Sequence, residues 1–273
     1  DDGWKDALAD CENVLHVASP FAVVQPKDEN DFIVPAVEGT LRVLQAAADA
    51  GVKKVVMTSS TMAVGKHDKE TADEEDWADL SLPTVTPYQK SKTLAEKAAW
   101  NFIAKSTSGM KLVTICPSLV LGPCLEKDFG VSLTVISKLL DGSVPMVPRV
   151  GFPVVDVRDV AKLHMLALER AEADGERFIA SNGTFTTFQE MSHVLNAGLP
   201  RCQKSPAPTR KLPVLLMRLI GLFDGEIRAI IPNVDKVDKY SSAKAEKVLG
   251  WAHRTDKEAI VAAGQSLVDH GVV

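Results

Sequence analysis

The stretch from Val55 to Pro123 decides the fold of this chain. It opens with the apolar run Val55-Val56-Met57-Thr58-Ser59-Ser60, continues through Thr86-Pro87-Tyr88-Gln89-Lys90-Ser91-Lys92, and closes with a second apolar run from Leu112 to Leu121. An apolar run that ends in hydroxyl side chains, then a loop, a helical segment and another apolar run, is typical of a parallel α/β unit. Ligands of such sheets bind at the carboxyl ends of the strands, which is where Ser60 would lie.

The segment around Tyr88 predicts a helix whose first turns carry a phenol and an ammonium. Thr86 is a good N-cap, Pro87 suits the first helical position, and Gln89 would complete a capping box. Such a helix places Tyr88 and Lys92 one turn apart on the same face. A tyrosine normally ionises near pH ~10, and a neighbouring positive charge lowers its pKa. The pair therefore predicts a phenol that can exchange a proton with a carbonyl or alcohol oxygen.

Tyr88 and Tyr240 are the two tyrosines of the chain, and both are followed by a lysine four residues later. Spacing alone does not choose between Tyr88 with Lys92 and Tyr240 with Lys244. Tyr88 lies between two predicted strands, whereas Tyr240 precedes a short helical segment, 241–250, that no predicted strand leads into. We therefore assign the functional role to Tyr88 and a structural role to Tyr240.

Composition and charge exclude several classes of protein. The chain has 273 residues, 45% hydrophobic and 25% charged, which is enough for one large domain or a domain with a small lobe. A net charge of −5 without a basic block argues against a nucleic-acid partner. The most apolar stretch, from Leu212 to Phe223, is interrupted by Arg218 and is too short to span a membrane. The histidines show no metal-ligand spacing, so no metal site is expected.

The cysteines give an expectation about location. Cys11, Cys116, Cys124 and Cys202 are scattered without a Cys-x-x-Cys pair, and no signal peptide is visible. Both features are typical of reduced thiols in the cytoplasm.

Alternating strand and helix patterns predict an α/β fold, a doubly wound parallel sheet of the Rossmann type. Residues 1–150 are interpreted as part of a dinucleotide-binding domain, and residues 151–273 as a region that completes the sheet and forms a small substrate lobe. Strands are predicted at 13–20 (buried), 53–60, 111–121, 154–157 and 178–180, and helices at 31–50, 131–140, 188–195 and from a cap at Asp159 to about Ala171. None of the 17 glycines forms Gly-x-Gly-x-x-Gly, so no loop here is expected to hold a pyrophosphate, and the sheet is expected to lack its first strands.

Four segments in order carry a resemblance to a known family. They are Val14-Leu15-His16-Val17-Ala18-Ser19-Pro20, Met57-Thr58-Ser59-Ser60, Tyr88-Gln89-Lys90-Ser91-Lys92-Thr93-Leu94-Ala95-Glu96 and Pro117-Ser118-Leu119-Val120-Leu121-Gly122-Pro123. Together they resemble the extended short-chain dehydrogenase/reductases (the NAD-dependent epimerase/dehydratase family), in particular the dihydroflavonol-reductase-like branch. The resemblance implies reduction of a ketone or aldehyde to an alcohol, with NADP(H) rather than NAD(H) as the cofactor.

The resemblance also implies roles for single residues. Tyr88 would donate the proton, Lys92 would hold the nicotinamide ribose and lower the pKa of the tyrosine, and Ser60 would hydrogen-bond the substrate oxygen. Ser60, rather than Ser59, matches the catalytic hydroxyl of the family because it stands five residues before Gly65. The residues implied to bind the cofactor are Ala18, Ser19, Thr58, Tyr88, Lys92, Pro117, Ser118 and Leu119.

One segment departs from relatives that act on sugar nucleotides and often carry Arg-Pro-x-Asn-x-Tyr-Gly-Pro. Cys116, Leu119 and Leu121 stand in place of the arginine, asparagine and tyrosine. An apolar pocket, and hence a small hydrophobic carbonyl substrate, is predicted from Met62, Ala63, Val64 and Leu119. A sugar-nucleotide epimerase or dehydratase, and a catalytically inactive dinucleotide-binding relative, are the alternatives.

The family begins with a strand, a glycine loop, a helix and further strands, which together take on the order of 60 residues. The given sequence has no segment that corresponds to them. If the sequence is part of a longer protein, an ordinary reductase is expected. If these residues are the whole protein, its sheet would have an unprotected edge, and weak or no cofactor binding with self-association would be expected. The polar outer face of the helix at Tyr88 is compatible with a monomer, and a homodimer is the alternative.

Overall fold

A parallel sheet positions the residues of the candidate site. The structure is a computed structural model that describes residues 3–21, 26, 28–65, 69–199 and 206–273. In those ranges the strands are β1 (Asn13–His16), β2 (Lys54–Thr58), β3 (Lys111–Pro117), β4 (Leu119–Leu121), β5 (Gly151–Asp156), β6 (Arg177–Ala180) and β7 (Phe185–Thr187). The parallel sheet has the order β1-β2-β3-β6, and a smaller mixed sheet has the order β4-β5-β7.

Helices cover both faces of the parallel sheet. The helices are α1 (Trp4–Ala7), α2 (Asn30–Asp49), α3 (Thr61–Val64), α4 (Pro87–Lys105), α5 (Thr134–Leu140), α6 (Val157–Glu169), α7 (Phe188–Gly198), α8 (Val214–Ile220), α9 (Gly225–Ile230), α10 (Ala243–Leu249) and α11 (Asp256–Asp269). Val55 and Met57 of β2 pack with α2 and α4, whereas Val56 packs with α6 and α10. Successive side chains of a strand point to opposite faces, so this alternation buries both faces of β2. The predicted doubly wound α/β fold is confirmed.

A second hydrophobic core joins α5, α7 and α11 to the smaller sheet. Its buried side chains include Ile136 from α5, Leu195 from α7 and Ile260 from α11. The predicted boundary at residue 150 separates elements that pack together. Helix α5, before it, packs with α7 and α11, and strand β6, after it, pairs with β3 in the parallel sheet. The division of the chain at residue 150 stays a prediction.

The cysteines and the most apolar segment were also singled out from the sequence. Cys11, Cys116 and Cys124 are free thiols, and Cys202 lies outside the described residues. The apolar stretch from Leu212 to Phe223 contributes the seven-residue helix α8. Over the described ranges, no helix combines the length and the apolar character needed to cross a membrane.

The first strand is shorter and more exposed than expected. The prediction of a buried strand from Asn13 to Pro20 is wrong, because β1 ends at His16 and leaves Leu15 43% exposed. Strand β1 pairs with β2 along one edge, and no other strand among the described residues pairs with it. An apolar strand is buried only where neighbouring elements cover it, so the residue pattern alone does not determine its burial.

Two boundaries also differ from the prediction. The expected strand 111–121 is divided at Ser118 into β3 and β4, which belong to different sheets. Asp156, not Asp159, caps α6 by accepting a hydrogen bond from the backbone N–H of Arg158 at 2.9 Å. Asp159 instead lies in the first turn and accepts hydrogen bonds from the backbone and guanidinium of Arg254. The predicted cap is wrong because β5 runs to Asp156 and α6 follows it without a loop.

Candidate active site

The ends of three neighbouring strands bring the predicted site residues to one edge of the sheet. Ala18 and Ser19 follow β1, Ser60 follows β2, and Ser118 follows β3. Because these strands are parallel and adjacent, their carboxyl ends lie side by side, which is where α/β sheets bind ligands.

Ser60 is held at the start of a short helix, beside Tyr88. It is the N-cap of α3, and its hydroxyl oxygen accepts a hydrogen bond from the backbone N–H of Met62 at 3.1 Å. The Ser60 hydroxyl is also hydrogen-bonded to the Tyr88 phenol. Ser59 instead donates to Oε2 of the buried Glu96 at 2.5 Å. The fold thus separates two neighbouring serines of the same chemistry and places Ser60 with Tyr88.

The start of α4 fixes the position of Tyr88 and Lys92. Pro87 is the first residue of the helix, and the Thr86 hydroxyl caps it by accepting a hydrogen bond from the backbone N–H of Gln89 at 3.1 Å. Within the described residues, only this half of the predicted capping box forms. The predicted helix and its N-cap are confirmed.

The aromatic ring of Tyr88 lies between an ammonium and two phenylalanines. Lys92 Nζ is 5.9 Å from the centroid of the Tyr88 ring. Phe21 and Phe32 pack edge-on against the same ring, with centroid distances of 4.7 Å and 6.5 Å. The structure therefore brings Ser60, Tyr88 and Lys92 together.

Burial favours the neutral forms of both Tyr88 and Lys92, and it shifts their pKa values in opposite directions. It raises the pKa of Tyr88 to about 12, although the hydrogen bond with Ser60 acts in the opposite direction. It lowers the pKa of Lys92 to about 8, while Cys116 and Glu96 raise it. The expected lowering of the pKa of Tyr88 does not occur in this structure, because the loss of solvation outweighs the hydrogen bond with Ser60. At neutral pH the phenol keeps its proton and Lys92 keeps its charge.

Tyr240 occupies a different environment. Its side chain is 2% exposed, and its hydroxyl donates a hydrogen bond to the carbonyl oxygen of Gly65 at 3.2 Å. Burial raises the pKa of Tyr240 well above its usual value. Lys244 pairs with Glu176 at 2.7 Å instead of approaching the phenol. These contacts support the structural role assigned to Tyr240.

Thr58, which the resemblance assigns to the cofactor, is hydrogen-bonded within the protein. Its Oγ1 lies 2.7 Å from Nε2 of the buried His164, and Nδ1 of that ring lies 2.8 Å from the carbonyl oxygen of Val160. Since Nδ1 must donate to the carbonyl, Nε2 accepts, and the Thr58 hydroxyl is the donor. In the described ranges no three His, Cys, Asp or Glu side chains meet as a metal ion would require.

The other residues assigned to the cofactor leave room for a polar ligand. Ala18 and Ser19 are exposed, and the Pro117 carbonyl accepts a hydrogen bond from Thr61 Oγ1 at 3.3 Å. The Ser118 hydroxyl is buried and has no hydrogen-bond partner among the described residues. A buried hydroxyl without a partner is uncommon, and a polar group bound there would satisfy it. The end of β3 therefore fits a dinucleotide, whereas Leu119 packs against the second core.

A cleft lined by Met62, two residues after Ser60, and by Gln89, the residue after Tyr88 on α4, is the candidate substrate site. Its lining includes Met62, Val85, Gln89 and Phe152, with the charged residues Asp79, Lys236 and Asp238 also part of it. Among the residues expected to form an apolar pocket, Met62 lines this cleft, whereas Ala63 and Val64 are fully buried.

One residue at the site was given no role from the sequence. Glu96 follows Lys92 by one turn of α4, as Lys92 follows Tyr88, and the three share a helix face. The four-residue spacing from Lys92 was the signal in the sequence that could have pointed to Glu96. The sequence could not show that Glu96 is fully buried and hydrogen-bonded to residues of three other segments.

The fold and the site define a Rossmann-type protein with a serine, a tyrosine and a lysine at the ends of its parallel strands. The chain belongs to the NAD dependent epimerase/dehydratase family, whose model matches residues 2–180. The resemblance seen in the sequence is thereby confirmed.

Similar curated proteins and similar solved structures are reductases of the same kind. A cinnamoyl-CoA reductase of Medicago truncatula is 36% identical over 201 residues, which cover 71% of this chain and 60% of that protein. The NADPH-dependent methylglyoxal reductase of Saccharomyces cerevisiae, GRE2, is 35% identical over 273 residues, which cover 92% of this chain and 75% of that protein. The crystal structure of yeast methylglyoxal/isovaleraldehyde reductase Gre2 complexed with NADPH superimposes with a TM-score of 0.77 at 28% identity, covering 99% of this chain and 80% of that one.

Proposed function

We propose that this protein reduces a ketone or aldehyde to an alcohol with NADPH as its cofactor. The observation that carries the proposal is the meeting of Ser60, Tyr88 and Lys92 at the carboxyl ends of parallel strands. The named activities of the relatives support it, because they include reductases of carbonyl compounds and an NADPH-dependent enzyme.

The roles of the three side chains follow from their chemistry. When bound, NADPH supplies a hydride to the carbonyl carbon. Ser60 donates a hydrogen bond to the carbonyl oxygen, and Tyr88 gives its proton to that oxygen as negative charge builds there. A pKa of about 12 keeps Tyr88 protonated at neutral pH, which suits a proton donor. The Lys92 ammonium favours the phenolate that remains until solvent returns a proton.

The same edge of the sheet is proposed to hold the cofactor. Lys92 would contact the nicotinamide ribose, while Ala18, Ser19 and the segment 117–119 would line the dinucleotide. The unpartnered hydroxyl of Ser118 supports this assignment. The relatives' NADPH, rather than NADH, supports the choice of cofactor.

The substrate is proposed to be a small hydrophobic carbonyl compound. Met62, Val85 and Phe152 supply apolar walls to the candidate cleft, which Met62 and Gln89 connect to the segments of Ser60 and Tyr88. Cys116 and Leu121, which stand where relatives acting on sugar nucleotides carry polar side chains, are buried in the interior and offer no hydrogen bond to a sugar. This argues against an epimerase or dehydratase.

The two tyrosines supply a matched test of the proposal. NADPH oxidation by the full-length protein is followed spectrophotometrically with methylglyoxal and with an aromatic aldehyde, in the wild type, Tyr88→Phe and Tyr240→Phe. Loss of the proton donor should lower kcat by ~100-fold or more in Tyr88→Phe. Tyr240→Phe removes the same hydroxyl from a structural site and should keep the wild-type kcat. Equal rates in Tyr88→Phe and the wild type would refute the role of Tyr88.

A further inference from the structure

A buried carboxylate, Glu96, lies directly behind the candidate active site. Its side chain is 0% exposed. Donors from five side chains converge on its two oxygens: Ser59 Oγ at 2.5 Å, Thr114 Oγ1 at 2.8 Å, Arg177 Nε at 2.8 Å and Nη2 at 3.2 Å, Trp100 Nε1 at 3.4 Å, and Cys116 Sγ at 3.8 and 3.9 Å. These donors come from the turn after β2, from β3, from β6 and from α4 itself.

Arg177 extends the same network to the loop that leads into α4. Its Nη1 donates to the carbonyl oxygens of Glu74 at 3.0 Å and Asp76 at 2.5 Å. Its guanidinium also lies 3.9 Å from the centroid of the Trp77 ring. The pair Arg177–Glu96 therefore connects β6, α4 and the loop before α4. A buried ion pair is a poor source of stability compared with apolar packing, so stability alone does not account for it.

Glu96 is connected both to the helix that carries Tyr88 and Lys92 and to the turn that carries Ser60. Glu96 lies one turn beyond Lys92 on α4, and the serine it binds, Ser59, is adjacent to Ser60. We propose that Glu96, paired with Arg177, is a positioning residue of the reductase site: it ties the turn that carries Ser60 to the helix that carries Tyr88 and Lys92. This inference rests on the proposed reductase function.

Glu96 also acts on the pKa of Lys92, against the larger effect of burial. The titratable side chains that influence Lys92, or are influenced by it, are Glu96 on α4, Cys116 on β3 and His16 on β1, with the Tyr88 ring 5.9 Å away. Burial raises the pKa of Cys116 and lowers that of His16, so both are uncharged at neutral pH. Glu96 is therefore the anion that favours the ammonium form of Lys92.

The first test measures the protonation of Lys92 directly and needs no enzymatic turnover. The side-chain ammonium is titrated by NMR in lysine-labelled full-length protein, with the signal assigned through Lys92→Arg. Glu96→Gln removes the anion and leaves Arg177 uncompensated, so the pKa of Lys92 should fall below its wild-type value of about 8. Ser192→Ala, a buried serine of α7 outside the site, should leave it unchanged.

A shift confined to Lys92 separates an electrostatic role from simple loss of structure. A destabilised protein has no reason to lower the pKa of this one lysine while the other lysines keep their titration. An identical titration of Lys92 in Glu96→Gln and the wild type would overturn the inference.

The second test addresses geometry through the Ser59 hydroxyl. Ser59→Ala deletes its bond to Glu96 without changing any charge, and the loosened Ser60 should lower kcat by ~10- to 100-fold with little change in KM. Ser59→Thr restores a hydroxyl and should recover most of the rate. This pair also decides the matter if Glu96→Gln fails to fold. A wild-type kcat in Ser59→Ala would defeat the positioning role, whereas an inactive wild-type protein would defeat the proposed function instead.

Discussion

Replacing Lys92 with methionine should stabilise the cofactor-free protein while removing its activity. Lys92 is 6% exposed, and burial lowers its pKa from 10.5 to about 8. That difference corresponds to roughly 3 kcal/mol at ~1.4 kcal/mol for each pKa unit, which is the cost of keeping the ammonium in the folded interior. Methionine has a similar length and no charge, so Lys92→Met should recover an amount of this order at neutral pH.

The same argument predicts how the gain depends on pH. Below the folded-state pKa of about 8, lysine is protonated in both states and the full cost is present. Between about 8 and 10.5 the unfolded chain binds a proton that the folded protein has released, so the wild-type free energy of unfolding rises with pH. The advantage of Lys92→Met should therefore shrink across this interval and vanish above it.

Urea denaturation followed by tryptophan fluorescence measures the effect. The wild type and Lys92→Met are compared at neutral pH and at several values up to about 10.5. Lys105→Met, an exposed position at the end of the same helix, is the matched control and should change stability by less than about 0.5 kcal/mol. A variant less stable than the wild type at neutral pH, or a gain that does not change with pH, would refute the reasoning.

Three further predictions concern the site and its support. Ser60→Ala removes a hydrogen bond to the developing oxyanion and should lower kcat by ~100-fold or more, while NADPH affinity, measured by fluorescence titration, stays within a few-fold; an unaltered kcat would count against Ser60. The wild-type kcat should decline as pH rises through about 8, because Lys92 loses its charge there, and a rate–pH profile that stays level into the alkaline range would contradict this. Asp159→Ala leaves the partly exposed Arg254 without its partner and should cost about 2 kcal/mol in urea denaturation, with kcat preserved; no loss of stability would show that the pair contributes nothing.

Local chemistry made the centre of the site predictable from the sequence. The cap at Thr86, the proline after it and the four-residue spacing of Tyr88 and Lys92 all act within one helix, and the structure has them as expected. The family resemblance, through the distance to Gly65, separated Ser60 from Ser59, and the structure places Ser60 with Tyr88.

Features that depend on distant parts of the chain were not predictable in the same way. The exposure of β1 depends on which strands pair with it, and the cap of α6 depends on where β5 ends. Arg177 and Glu96 are 81 residues apart in sequence and meet only because β6 joins the sheet beside β3. The pKa of Tyr88 depends on how deeply α4 and the surrounding aromatic rings bury it.

The most direct test of the account is a crystal structure of the full-length protein with NADP+ and an unreactive ketone inhibitor. The account predicts that the hydroxyls of Ser60 and Tyr88 both lie ~2.6–3.2 Å from the carbonyl oxygen of the inhibitor, with Lys92 on the nicotinamide ribose. A carbonyl oxygen bound away from Tyr88, or held by other groups in the cleft, would contradict it.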